Sequence, residues 1–386
     1  MKSYLSSRTE QIKPSGIRRF FDLANSLEGV ISLGVGEPDF ITPWSICHAS
    51  IQSIERGYTT NTEIEGLIEL RKEISYYMGN RFQVSYSPDT EIIVTVGGSQ
   101  ALDSSLRAII NSGDEVMIVE PSYVAYEALV AMAGGKPVPI VTTFENEFKP
   151  QPEQIIQSIS SRTKAIILCF PNNPTGSLLK KQELEALAEI IVKHDLLVIT
   201  DEIYAELTYE EDTFCSIASI EGMRDRTILV SGFSKAFAMT GWRLGYICAP
   251  EWLTQPIVKV LQHATISAPS ITQYGAIEAL RNGQRYIIEM RNSYRERRNF
   301  LVNQLNKMGL HCHLPEGAFY VFPSVRQTGL TSEQFAEKLL IQHKVAVVPG
   351  SAFGNSGEGH IRCSYATSME KLHEAMERMG QFLENL

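Results

Sequence analysis

Long apolar runs are missing from this 386-residue sequence. None approaches the ~20 consecutive residues that span a bilayer, so no membrane partner is expected. The N-terminus, MKSYLSSRTEQIKPSG, lacks the apolar core of a secretory signal. Positive charge is in deficit: 35 Lys and Arg stand against 44 Asp and Glu, a net charge of −9. That excludes the basic surface of a nucleic-acid binder and attachment to an anionic membrane. Paired cysteines are missing too. Cys47, Cys169, Cys215, Cys248, Cys312 and Cys363 are scattered with no C-x-x-C, and read as reduced, mostly buried thiols of a cytoplasmic protein. There is no G-x-x-x-x-G-K and no G-x-G-x-x-G, so neither a P-loop NTPase nor a Rossmann dehydrogenase is supported. Internal repeats and low-complexity linkers are also absent.

What remains is ordinary globular composition, with 44% hydrophobic and 20% charged residues. At roughly 100–200 residues per domain, the length predicts two domains. The middle of the chain alternates short Ile- and Val-rich runs with helical patterns. The runs are 91–96, 115–119, 164–169, 196–200, 227–230 and 246–248, and they predict strands buried on both faces. Apolar residues at helical spacing mark 99–110 and 182–193. Strands alternating with helices predict an α/β domain, a mostly parallel central sheet sandwiched by helices. The C-terminal third predicts a smaller α+β domain, with strands at 318–323, 345–348 and 360–364, a helix at 332–343 and a long charged helix at 281–308. The expected division is 46–280 for the large domain and 281–386 for the small one, with residues 1–45 joining the small domain.

In open α/β sheets, ligands bind beyond the carboxyl ends of the strands. Each predicted strand is followed there by a polar cluster: Gly97-Gly98-Ser99-Gln100, Glu120-Pro121-Ser122-Tyr123, Pro171-Asn172-Asn173-Pro174-Thr175-Gly176, Asp201-Glu202-Ile203-Tyr204 and Ser231-Gly232-Phe233-Ser234-Lys235. Any one of them is a common βα turn; together they outline a single site. Gly97-Gly98-Ser99 leads into a helix and reads either as a phosphate cup or as a tight turn capped by Ser99. Asp201, directly after an apolar strand, is a counter-ion for a protonated heterocycle or a helix cap. Tyr123 stacks on a ring or packs in the core. Asn173, between prolines, donates to a ring oxygen or caps a turn. Lys235 is a Schiff-base lysine or a surface lysine in a loop. Arg243, eight residues later, could hold a phosphate near that lysine. Arg362, inside an apolar strand, wants a bidentate anion: a substrate carboxylate or a structural carboxylate partner.

The run SGFSKAFAMTGWRLGY, with PNNPTG, DEIY, GEPDF and HIRCSYAT, resembles the class I aminotransferases of pyridoxal-phosphate fold type I. The phrases GAFYVFP and VVPGSAFG fit as well, and the resemblance covers nearly the whole chain in the family's order. Within the family the chain is most similar to prokaryotic aspartate and aromatic aminotransferases. PSGIRRFFDLA, SIASIEGM and VRQTGLTSEQFAEKL resemble the archaeal-type aromatic enzymes.

The resemblance implies pyridoxal 5'-phosphate as cofactor and the following roles. Lys235 forms the Schiff base and shuttles the proton between Cα and C4′. Asp201 partners the pyridine nitrogen. Asn173 and Tyr204 donate to the ring oxygen, and Tyr123 is the aromatic plate. Gly98, Ser99, Gln100 and Arg243 form the phosphate site. Tyr58 reaches the phosphate of the neighbouring subunit, which implies a homodimer with composite active sites. Gly36, Asn173 and Arg362 bind the substrate α-carboxylate. Many relatives carry a serine three residues before the lysine; here that position is Gly232, so Ser234 or Ser231 takes the role. One aspartate-specific branch has an arginine near 265–270; the segment ATISAPSITQ has none.

The expected reaction is ping-pong transfer of an amino group to 2-oxoglutarate, from aromatic donors in preference to aspartate. The acceptor's distal carboxylate would be met by Arg18 or a water. A carbon–sulfur lyase of the same fold is the alternative. A transcription factor carrying such a module is disfavoured by the acidic chain and by how soon the small-domain segment begins.

Overall fold

The computed structural model describes residues 4, 6–12, 16–210 and 214–386, and of residues 7, 11, 16–19 and 21 the backbone alone. Strand β1 (Ile31–Ser32) precedes seven strands of one sheet: β2 (Ile92–Thr95), β3 (Glu115–Glu120), β4 (Lys136–Val141), β5 (Thr163–Cys169), β6 (Leu197–Asp201), β7 (Thr227–Gly232) and β8 (Gly245–Cys248). Their spatial order is β2-β8-β7-β6-β5-β3-β4. All neighbours run parallel except β8, which is antiparallel to β2 and β7.

The strands are apolar throughout because helices cover both faces. Alternation along β3 shows this. Val116 and Ile118 pack with Leu102 and Leu106 of the helix Gly97–Ile109. Met117 and Val119 pack on the other face with Leu184, Leu187 and Ile191 of the helix Lys181–Lys193. Parallel order sends every carboxyl end in the run β3-β5-β6-β7 to one edge, where the predicted polar clusters meet.

Three strands, β9 (Tyr320–Val321), β11 (Val348–Pro349) and β12 (Ile361–Ser364), form an antiparallel sheet in the order β11-β12-β9. β10 (Val345–Ala346) pairs parallel with β1, Ile31 opposite Val345. Ile31 and Leu33 share a core with Phe319, Phe335, Leu339, Tyr365, Met376 and Phe382. That core reaches Tyr204, Leu207 and Tyr209, just past β6.

Four expectations need correcting. β4 was not anticipated, because KPVPIV carries two prolines. It is the edge strand, paired only with β3, where a missing N–H is tolerated. The long helix runs Gln284–Lys307, and Arg281 lies in the last turn of a separate helix, Ser270–Asn282. The break is Gly283, where a Cβ would lie 2.3 Å from the Ala279 carbonyl oxygen. A further amphipathic helix, Met369–Glu384, closes the chain. Of the six free thiols, Cys169, Cys248 and Cys363 are buried, while Cys47, Cys215 and Cys312 are only half-buried.

Candidate active site

The helix Gly97–Ile109 starts one residue after β2 and Val96, with no side-chain cap on its first turn. Its leading N–H groups and the positive end of its dipole are therefore available to an anion. Gly97 sits at φ +77°, and a Cβ there would lie 2.7 Å from Arg243 Nη2, so the absence of a side chain lets the guanidinium close over the turn. Arg243 itself is held at φ +53° and donates from Nη1 to the Thr240 carbonyl at 3.0 Å. A left-handed backbone on a non-glycine residue costs of order 1–3 kcal/mol, so the surrounding turn must impose it. Behind this, glycines bring the backbones together. Gly232 and Gly245 are register partners on β7 and β8. A Cβ on Gly245 would lie 2.7 Å from the Gly97 carbonyl carbon, and one on Gly232 2.9 Å from Gly245 Cα.

Asp201 is the last residue of β6 and only 8% exposed. The Tyr126 hydroxyl donates to its Oδ2 at 2.7 Å and the Ile203 N–H to its Oδ1 at 3.3 Å. Burial raises its pKa, and these hydrogen bonds and the Lys235 charge act against that rise. Among the described residues Asp201 makes no ion pair. Lys235 follows β7 in the turn through Phe233 and Ser234. Its Nζ donates to the Gly36 carbonyl at 2.5 Å and lies 5.7 Å from the Phe319 ring centre. Burial pulls its ammonium down to about 8; Glu37 and Asp201 oppose this, and Arg362 and Arg243 add to it. Glu202, beside Asp201, is also buried and is pushed up to about 8 by desolvation, against hydrogen bonds from Ser216 and Thr200.

Arg362 enters from β12, nearly fully buried. Its Nη1 donates to Asn173 Oδ1 at 2.9 Å and its Nη2 to the Gly34 carbonyl at 2.6 Å, while Nε is buried with no partner. Those acceptors are neutral, so of the two readings the structural carboxylate partner is not found among the described residues, and none of them pairs with the guanidinium charge. The Tyr204 and Tyr320 hydroxyls share a hydrogen bond at 2.8 Å. A Cβ on Gly36 would lie 2.7 Å from the Tyr320 oxygen, and the Tyr320 ring centre lies 4.5 Å from the Arg362 guanidinium.

The remaining predicted residues are placed as follows. Tyr123 packs edge-on against Tyr126 at 5.6 Å, with Ser99 within hydrogen-bonding reach of its hydroxyl. Gly98 lies in the first turn of the Gly97 helix, and Ser234 is buried in the turn before Lys235. Ser231 is tied by its hydroxyl to the Glu202 carbonyl at 3.3 Å. The Gln100 side chain accepts from the Val96 N–H at 2.7 Å and donates to Thr265, so its backbone N–H is what it can offer a ligand. Tyr58 lies outside this cluster, 46% exposed and stacked on Tyr274 at 5.2 Å. The Arg18 side chain lies outside the described residues. Tyr126 and Tyr320 were not anticipated. Each sits in an apolar pattern where an aromatic reads as core, and nothing in helix or strand periodicity shows which hydroxyl finds a polar partner.

Pyridoxal phosphate fits these groups. A phosphate matches the uncapped helix start and Arg243, and a protonated ring nitrogen would give the unpaired Asp201 its cation. The lysine amine at Gly36 suits an aldehyde, and a carboxylate would answer the charge on Arg362. Arg362→Ala is therefore expected to lower kcat/KM with every amino-acid donor, since breaking a desolvated charge pair costs about 2–5 kcal/mol. Steady-state rates with a neutral and a dicarboxylic donor check this; a loss confined to the dicarboxylic donor would make Arg362 a side-chain reader instead.

The model of the family described as aminotransferase class I and II matches residues 28–379. Similar proteins include YugH of Bacillus subtilis, provisionally named an aminotransferase, at 58% identity over 99% of both chains. The aspartate aminotransferase of Pyrococcus abyssi is 45% identical over 98% of both. Among solved structures, the aromatic aminotransferase of Pyrococcus horikoshii superposes with a TM-score of 0.91 at 44% identity, over 95% of this chain and 99% of that one.

Proposed function

This chain belongs to the class I and II aminotransferase family, and from that premise we propose that it moves the amino group of an aromatic amino acid onto 2-oxoglutarate in a ping-pong cycle. The family is pyridoxal-phosphate-dependent. The observation that carries the reading is the convergence of Lys235, Asp201 and Arg362 at one sheet edge, each with a charge that no described residue neutralises directly.

When bound, pyridoxal phosphate supplies an electrophilic aldehyde and a ring that takes up electrons from the substrate Cα. In this reading the start of the Gly97 helix and Arg243 hold the phosphate, with the Ser99 and Ser234 hydroxyls beside them. Asp201 keeps the proton on the ring nitrogen. Asn173 and Tyr204 donate to the ring oxygen, and Tyr123 covers one face. Arg362 and the backbone at Gly36 orient the substrate by its carboxylate. Lys235 Nζ then moves the Cα proton; an amine lowered to about 8 is still mostly protonated at pH 7, but about a tenth of it is free base, far more than for an ordinary lysine, and that suits the transfer.

Relatives named for aspartate and for aromatic amino acids are about equally similar. The donor preference therefore rests on the site: segment 264–273 carries no cation, and its Thr265 hydroxyl is already engaged by Gln100. With phenylalanine, tyrosine, aspartate and alanine under one set of conditions, the aromatic donors are expected to give the highest kcat/KM. Aspartate or alanine winning by more than about tenfold, 1.4 kcal/mol, would overturn the preference. A donor consumed steadily without any 2-oxo acid would indicate lyase chemistry.

The proposal includes a cytoplasmic homodimer, with residues 1–45 and 281–386 forming the small domain around residues 46–280. Support for the dimer is the exposure of four large apolar side chains within residues 41–58, Ile41, Trp44, Ile54 and Tyr58, with Trp44 70% exposed. Mixing Lys235→Ala subunits with Tyr58→Phe subunits should yield heterodimers with one doubly damaged and one intact site. Light scattering that finds a monomer at working concentration ends the idea.

A further inference from the structure

We propose that a second cleft, between the edge of the large sheet and the small-lobe segments 326–331 and 355–360, binds a free α-amino acid as a zwitterion. The cleft measures about 530 Å³, within the ~300–1,000 Å³ typical of small-molecule sites. None of the residues gathered around Lys235 lines it.

Its chemistry is divided. Phe144, Glu145 and Phe148 come from the segment after β4, and Arg326, Glu358 and His360 from the small lobe. Arg326 is exposed and makes no ion pair among the described residues, so its guanidinium is free to take a carboxylate. Glu145 is an exposed carboxylate whose pKa is lowered by hydrogen bonds at its own backbone and at Thr143, and further by Arg326. It stays ionised and near Arg326, and suits an ammonium group. Glu358 is already engaged, accepting from the Ser332 N–H at 2.8 Å and the Ser332 hydroxyl at 2.6 Å.

Beside these charges the lining includes three rings, Phe144, Phe148 and His360. His360 is 1% exposed and stacks on Phe322 at 5.2 Å, and burial and Arg326 hold its ring neutral down to about pH 4. Its buried Nε2 has no hydrogen-bond partner. Phe144 lies 5.9 Å from that ring and Phe148 meets it edge-on at 5.3 Å. One positive group, one negative group and an aromatic wall match an amino acid with an apolar side chain.

The test uses holoenzyme reduced with borohydride, so that turnover is blocked and binding alone is read, two variants separating the cleft from the carboxylate site at Arg362. Calorimetric titration with L-phenylalanine is expected to show one saturable site per chain. Arg326→Ala and Glu145→Gln, both outside the catalytic cluster, should retain transamination before reduction and raise Kd at least tenfold after it. 3-Phenylpropionate and phenethylamine, each lacking one charge, should bind at least tenfold more weakly. No saturable binding to the reduced wild type overturns the proposal, as does binding indifferent to both variants. 3-Phenylpropionate matching phenylalanine also overturns it, because the cleft would then read only an anion. Phenylalanine that binds the reduced enzyme but is not transaminated by the unreduced enzyme would refute the donor preference and leave this site standing.

Discussion

Lys235→Ala is expected to abolish transamination while the protein stays folded. The two effects separate because the side chain contributes little to the fold. Its side-chain hydrogen bond to the Gly36 carbonyl contributes a net ~0.5–1.5 kcal/mol, and the lysine is only half-buried. The catalytic loss is far larger. Positioned proton transfer alone contributes about 10²–10⁴-fold, and loss of the amine that forms the covalent link adds to it. Residual turnover should fall below one part in 10⁴ of wild type, a ratio of more than about 5 kcal/mol. Circular dichroism and thermal melting check the fold. Borohydride reduction and peptide mapping of the wild type should place the cofactor on Lys235; label on another lysine sinks the assignment.

Asp201→Ala should cost several orders of magnitude in rate. Burial already disfavours a charged carboxylate at the end of β6, and only the Tyr126 hydroxyl, the Ile203 N–H and the field of Lys235 oppose it. An acid kept ionised there is useful only against a cation, and each pKa unit lost from that cation is worth 1.36 kcal/mol. Stability should move less, because the variant removes a desolvated carboxylate and leaves the Tyr126 hydroxyl unsatisfied, a penalty of about 1–3 kcal/mol. Asp201→Asn separates charge from shape, since an amide oxygen can still accept from Tyr126. Both variants should be slow in single-turnover kinetics with phenylalanine. Near-normal rates in Asp201→Asn would show that Asp201 only caps the turn.

Much of this site was legible because it lies where short apolar runs end. A run of Ile and Val needs no periodicity to read as a doubly covered strand, and its last residue fixes where the polar turn begins. That is why Asp201, Asn173 and Lys235 could be placed on one edge. β4 escaped because its prolines mask a strand that survives only at a sheet margin. Tyr320 and Tyr126 escaped because a buried tyrosine and a buried phenylalanine follow the same pattern, and only the partner, far away in sequence, distinguishes them. The neutral partners of Arg362 were hidden for the same reason: Gly34 is 328 positions away, and a backbone carbonyl leaves no mark in composition. The cleft at Arg326 escaped because it is built from β4 and loops, which periodicity reads least well.

The glycines at 97, 232 and 245 also bear on which neighbouring sequences this protein could reach by single steps. A serine at 232 would set its Cβ 2.9 Å from Gly245 Cα and 3.0 Å from the Leu244 carbonyl oxygen. The hydroxyl cannot be gained there without moving β8, and β8 is fixed in turn by Gly245 lying against Gly97 and Gly98. The three positions are therefore bound to vary together or not at all. In the space of viable sequences they form a narrow ridge, because a side chain at any one of them meets the backbone or side chain held close by the other two.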